Sequence, residues 1–362
     1  MELFIFFGIA FILPLIFIRK RTDETENILD SKTSRFIKGI LCIFVMLHNL
    51  GLDYLHTNFP DRNYSGWLWV IDNITESTGG IAVGVFFFLS AYGLIISYNK
   101  NGSKFLKKLM TKNFIKLYLV AVFINLLEFL FFFRNSFETK DAVLRILNLD
   151  LFNNFNRMNR HGWFIASLLA AYIVFAITFY LCSKLKTKNK NYIAGFIVAG
   201  IVLICKLLTM IFDNGGMYTR ELPCFAIGLV YGMFYVPINK FCKKFFIPLI
   251  ILSLIAYGVG MFFYEPVAAW GLCVLIVTVL QKCTLQNKVI SWLGSICLGI
   301  YLFLHLSTLI YNEMFISNPY SWIIINAATI FAMTLGLEAI IKSIEFIISK
   351  ITNLINKRKE AN

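Results

Sequence analysis

Apolar stretches long enough to cross a bilayer recur from one end of this chain to the other, and they constrain its fold more than any single residue does. A bilayer core about 30 Å thick is crossed by a helix of about 20 mostly apolar residues. Segments of that character lie near 2–18, 36–54, 77–97, 114–133, 162–182, 191–212, 221–238, 245–263, 266–281, 288–311 and 320–345. They predict an all-α, polytopic membrane helix bundle of about 11 transmembrane helices. The composition agrees: 58% of the 362 residues are hydrophobic and 15% charged, against roughly 45–50% and about 25% in soluble domains. Only the polar segment 134–160 exceeds a short connection, which leaves no room for a separate soluble domain.

The net charge of +14 would suggest nucleic acid in a soluble protein. Here the bases cluster at the ends of apolar spans, so they report topology instead. Arg19, Lys20, Arg21, Lys32, Arg35 and Lys38 form one cluster, and six lysines in 100–116 form the next on the same side. That side continues through Lys184–Lys190, Lys240–Lys244, Lys282, Lys288 and the C-terminal tail. Alternate loops hold fewer bases: Arg62, Arg134, Lys140, Arg145, Arg157, Arg160 and Arg220. Basic loops stay cytoplasmic, so a multi-pass protein of the cell membrane is expected, with its N-terminus outside and its C-terminus cytoplasmic. The charges Arg19-Lys20-Arg21 follow the first apolar run rather than precede it, which predicts a retained first helix instead of a cleaved signal. No internal repeat stands out, and the eight cysteines form no Cys-x-x-Cys pair, so neither a disulfide framework nor a metal site is expected.

Ionisable groups inside spans are costly and point to function. His48 lies ten residues after Lys38 on one expected helix, roughly 15 Å along its axis at 1.5 Å per residue. With Lys38 at the inner interface, His48 reaches mid-membrane or beyond. A histidine takes and returns a proton near neutral pH; the ordinary alternative is a buried imidazole satisfied by a neighbouring carbonyl. His305 falls at a similar depth on another helix, and His161 opens its span just before Gly162-Trp163-Phe164. Arg220-Glu221 starts a helix from the outer side, where anchoring and substrate contact are both open. Glu128 and Lys206 lie near outer helix ends, where they can snorkel or pair. The outer loops 54–76 and 134–160 are natural places to handle an external substrate; the second contains an apolar pattern at helical spacing suited to the membrane surface. The lysines of 100–116 serve topology and anionic headgroups, or else dock a phosphorylated cofactor.

Taken in order, these segments resemble the acyltransferase 3 family of membrane proteins that modify cell-surface glycans. The resemblance runs from about Ser34 to Leu309. It rests on Lys38-Gly39 ten residues before His48, Gly84-Val85-Phe86-Phe87-Phe88-Leu89-Ser90, and Lys112-Asn113-Phe114-Ile115-Lys116. His161-Gly162-Trp163-Phe164, Arg220-Glu221-Leu222-Pro223 and Gly299-Ile300-Tyr301-Leu302-Phe303-Leu304-His305 continue it. Lysines stand at 38, 112 and 116 where arginines are usual, and lysine lacks the two-bond fork that arginine offers phosphate.

The resemblance implies a ten-helix core with an extra N-terminal helix. Residues 1–33 would hold that helix and a cytoplasmic linker, 34–349 the acyltransferase domain, and 350–362 a short basic tail. It further implies an O-acyltransferase, most simply an O-acetyltransferase, moving an acyl group from acetyl-CoA or another acyl-CoA to a hydroxyl of a cell-surface polysaccharide or lipid-linked glycan. His48 and His305 would be catalytic. Lys38, Lys112 and Lys116 would hold CoA phosphates, and His161, Trp163, Arg220 and Glu221 would contact the acceptor. Expected partners are the lipid bilayer, acyl-CoA, the glycan and polysaccharide-synthesis machinery, with no metal and no nucleic acid. Two other classes fit the same residues: a transporter or flippase for a lipid-linked glycan whose histidines relay protons, and a non-catalytic membrane partner of a polysaccharide synthase.

Overall fold

The computed structural model describes residues 2–22, 27–58, 66–149, 159, 161–212, 216–312 and 319–361. In chain order the elements are α1 (Glu2–Ile16), β1 (Ile18–Lys20), α2 (Ser31–Asn58), α3 (Trp67–Asn101), α4 (Ser103–Lys108), α5 (Ile115–Glu128) and α6 (Thr139–Ile146). There follow α7 (Gly162–Ser183), α8 (Lys190–Ile211), α9 (Gly216–Thr219), α10 (Leu222–Met233), α11 (Tyr235–Lys244), α12 (Phe246–Phe263), α13 (Glu265–Val279), β2 (Cys283–Leu285), α14 (Lys288–Asn312) and α15 (Pro319–Ala361). Wider π turns at Leu109–Phe114 and Phe129–Phe133 flank α5, so that Ser103–Phe133 reads as one span.

A helix occupies each of the eleven expected spans. Eight are long and apolar enough to cross a bilayer, and α10 with α11 adds a ninth if that pair, bent by 95°, counts as one broken span. Helices α1 and α13 have 15 residues each, about 22 Å at 1.5 Å per residue, and are short for a full crossing.

The two loops expected to lie outside differ from the sequence expectation. Helix α2 continues to Asn58 and α3 begins at Trp67, so much of 54–76 is helical. No glycine or proline interrupts 67–78, and Gly66, at φ 60°, supplies the left-handed turn that starts the helix. The apolar pattern in 134–160 does form α6. It is fastened to α5: Asn125 donates to the carbonyls of Arg145 and Ile146 at 3.1 and 3.2 Å, and the Tyr118 hydroxyl donates to Leu147 O at 3.0 Å. The side chain of His56, and Asp61, Arg62 and Arg157, lie outside the described residues.

Helices α2 and α3 form the centre, with 72% and 83% of their spans buried, whereas α12 is 11% buried and presents its apolar surface outward. Helix α3 packs on α2, α10 and α13, and α2 packs on α14. Glycines allow the close approaches. Gly39 abuts the Ile290 carbonyl, Gly294 the Arg35 carbonyl and Gly228 the Phe88 carbonyl, and a methyl group at any of them would overlap the facing backbone. Small residues at such seams are how membrane helices gain packing contacts.

Strands β1 and β2 pair antiparallel, with Ile18 opposite Leu285, Arg19 opposite Thr284 and Lys20 opposite Cys283. The Arg21 backbone N–H continues the ladder to Lys282 O at 2.8 Å. Two loops assigned to one side by charge are therefore physically joined.

Candidate active site

His48 lies in the middle part of α2, ten residues beyond Lys38, and faces α3. Its Nδ1 lies 2.5 Å from the carbonyl oxygen of Thr75. A carbonyl only accepts, so Nδ1 carries the proton; in the neutral form of the ring Nε2 is then the basic nitrogen. The ring fits because α3 has no side chain at Gly79, where a Cβ would collide with the imidazole. The next residue, Gly80, makes room in the same way for the Glu265 carboxylate and the Arg220 guanidinium. Consecutive glycines thus cut one recess for a base and another for an ion pair.

His48 and Arg220 border a cavity of about 180 Å³ whose lining also includes Asn49, Glu76, His161, Trp163 and Tyr301. Arg220 is held from two sides: Nε donates to Glu221 Oε1 at 3.1 Å, and Nη1 lies 3.0 Å from Glu265 Oε2. Its guanidinium also faces the Trp163 ring at 5.9 Å from the centroid. Glu221 is fully buried and does not line the cavity; it anchors Arg220, which does.

His161 enters the cavity from the start of α7. Its backbone N–H donates to Asn159 Oδ1 at 2.8 Å, and its ring stands 5.6 Å from that of Tyr301. Asn159 Nδ2 in turn donates to Glu128 Oε1 at 2.8 Å and to Leu302 O at 3.0 Å. The other Glu128 oxygen meets His305 Nδ1 at 3.1 Å. His305 therefore pairs with a fully buried carboxylate and does not line the His48 cavity, although its ring meets the His161 ring edge-on at 6.0 Å. Glu128 is drawn inward by this pairing rather than snorkelling.

A second cavity of about 330 Å³ lies toward the Lys38 end, bordered by Lys38, Ser90, Asn113, Lys116, Tyr172 and Tyr301 among others. Lys112 is exposed and does not line it. Tyr301 belongs to the walls of both cavities, and its ring packs on Phe164 at 5.3 Å. Helix α2 thus presents a lysine to one chamber and a histidine to the other, with a tyrosine ring between them.

Residues 34–341 match the family described as an acyltransferase domain. The chain belongs to the acyltransferase 3 family. Searches of the curated proteins and of the solved structures each returned no significant match. Membership makes the protein a membrane acyltransferase, and the matched region contains both cavities. The first 33 residues, with α1, β1 and Lys32, precede it.

Several groups of this acyltransferase site escaped the sequence reading. Glu265 sits at the start of a short apolar helix and Glu76 on a stretch read as loop, while Asn49 and Asn159 have no motif of their own. A signal for Glu265 existed in Glu265-Pro266, an acidic helix start placed at the same end as Arg220.

Proposed function

We propose that this acyltransferase transfers an acetyl group from acetyl-CoA to a hydroxyl of a cell-surface polysaccharide or lipid-linked glycan. The donor enters the lysine cavity from the cytoplasm and the acceptor reaches His48 from outside. The observation that carries this reading is the Nδ1 contact with the Thr75 carbonyl, which leaves Nε2 as the basic nitrogen of a ring on the cavity wall.

In this reading His48 Nε2 removes the proton of the acceptor hydroxyl as the oxygen attacks the thioester carbonyl. The tetrahedral intermediate collapses with cleavage of the C–S bond, and the departing thiolate takes the proton back from His48. No net proton is gained or lost. Lys38 and Lys116 supply positive charge for the CoA phosphates, with Lys112 adding to the field outside the cavity. Trp163 and His161 offer an apolar face and a polar edge to the sugar, and Arg220, fixed by two carboxylates, gives a donor of set direction. The Glu128–His305 pair holds Asn159 and, through it, the His161 backbone.

The test is reconstitution of the purified protein in liposomes with radiolabelled acetyl-CoA and candidate glycans. Label should pass to an alkali-labile ester on the glycan, and succinyl-CoA should serve poorly. Turnover with longer acyl donors only would overturn the acetyl assignment. A reporter active only outside the cell should work when fused after residue 150 and be silent after residue 187; the reverse would overturn the orientation.

A further inference from the structure

Arg19, Lys32, Arg35 and Lys288 converge on a depression of about 660 Å³, well away from His48, whose lining also includes Gln286, Asn287, Ser291, Trp292 and Ser295. No carboxylate lines it, and none of the four cations is ion-paired among the described residues. A space of that size sets the charges within about one Debye length of each other, where salt does not remove their repulsion. The fold nonetheless brings them together on purpose-built geometry. The β1–β2 ladder fixes Arg19 opposite Thr284, and the Gly294 contact with the Arg35 carbonyl clamps α2 to α14. Arg19 and Lys32 come from the segment that precedes the family match, and Arg35 and Lys288 from within it. The N-terminal extension therefore completes a site that the family domain would hold only in half.

The surroundings indicate what fills it. Leu15 and Ile16, just before β1, are 63% and 67% exposed, Val289 is 70% exposed, and Trp292 is 47% exposed. Cations and amides beside exposed aliphatic side chains, with a tryptophan at the boundary, match a headgroup phosphate with its acyl chains lying alongside. We propose that this depression binds the phosphate of an anionic phospholipid, seating the N-terminal extension against the acyltransferase domain. The lysine cavity that serves the donor is a separate space with different lining residues.

The experiment is native mass spectrometry of the full chain in detergent, titrated with phosphatidylglycerol or phosphatidylcholine. Phosphatidylglycerol should bind the more tightly, and R35Q/K288Q should weaken it about twenty-five-fold, at roughly fivefold per cation. The control K104Q/K107Q, which removes two exposed lysines outside the depression, should leave it unchanged. Equal weakening in both variants would mean a diffuse charge effect and overturn the site, as would equal affinity for the two lipids. Displacement of the lipid by millimolar inorganic phosphate would assign the site to a soluble phosphate and overturn the lipid. None of these readouts depends on acyl transfer, so the result stands or falls independently of the proposed reaction.

Discussion

His48 and Thr75 are joined across the α2–α3 interface by a 2.5 Å contact between imidazole Nδ1 and a main-chain carbonyl oxygen. The helix that provides the carbonyl also provides the glycine gap into which the ring fits. One nitrogen is satisfied as in an ordinary buried histidine, and in the neutral ring the other is the one that can accept a proton.

His48→Ala and His48→Gln are both expected to lower glycan acylation by roughly 10²–10⁴-fold, the range for loss of a general base. Acetyl-CoA binding, measured by equilibrium dialysis, should persist if its phosphates are held at the lysine end, as proposed. Retention of most activity in His48→Gln, at normal membrane insertion, would remove His48 from the base role.

The glycine gap makes a sharper prediction. Gly79→Ala places a methyl in the His48 ring and should cut kcat by at least about tenfold, with the protein still inserted, because a misplaced base loses its near-attack geometry. Gly93→Ala, on the same helix, meets no atom within 4 Å and should leave kcat unchanged. Equal activity of the two variants would show that the ring has room to move.

Neutralising Lys38 and Lys116 together should raise KM for acetyl-CoA more than it lowers kcat, the signature of uniform binding energy. Lys112→Gln alone should have a smaller effect, since that side chain lies outside the cavity. A kcat loss without a KM change would place these lysines in the chemical step instead.

Arg220→Ala strands the fully buried Glu221. Removing one member of a buried pair costs roughly 3–5 kcal/mol, and less is expected here because Arg220 is 37% exposed. Thermal unfolding in detergent should show a lower Tm for Arg220→Ala and partial recovery in Arg220→Ala/Glu221→Gln, whose second change replaces the stranded carboxyl with an amide. Recovery of stability without recovery of activity would separate the anchoring role of Glu221 from the proposed substrate role of Arg220.

Much of the site was legible from residue type and depth. His48, His161, Trp163 and Arg220 are polar or amphipathic groups in or beside apolar spans, where an apolar residue would be cheaper, and all four reach one cavity. His305 shows the limit of that logic: its expected depth matches that of His48, but its helix turns it toward Glu128. Gly79 and Gly80 carry no chemistry and gain meaning only from the side chains opposite them.

The sequence alone determined the membrane bundle, because a chain inside lipid must satisfy its own backbone hydrogen bonds, and repeated apolar runs can do so only as helices. It also determined axial depth, since helical rise turns the ten-residue spacing of Lys38 and His48 into a distance along the membrane. Only the tertiary structure decided which side chains meet. Facing lipid and facing a neighbouring helix make nearly the same demand for apolar residues, so hydropathy does not encode rotation about the helix axis. Packing sets that rotation, through contacts such as Gly79 with His48 and Gly80 with Glu265, and with it the division between a histidine on a cavity wall and a histidine paired away from it.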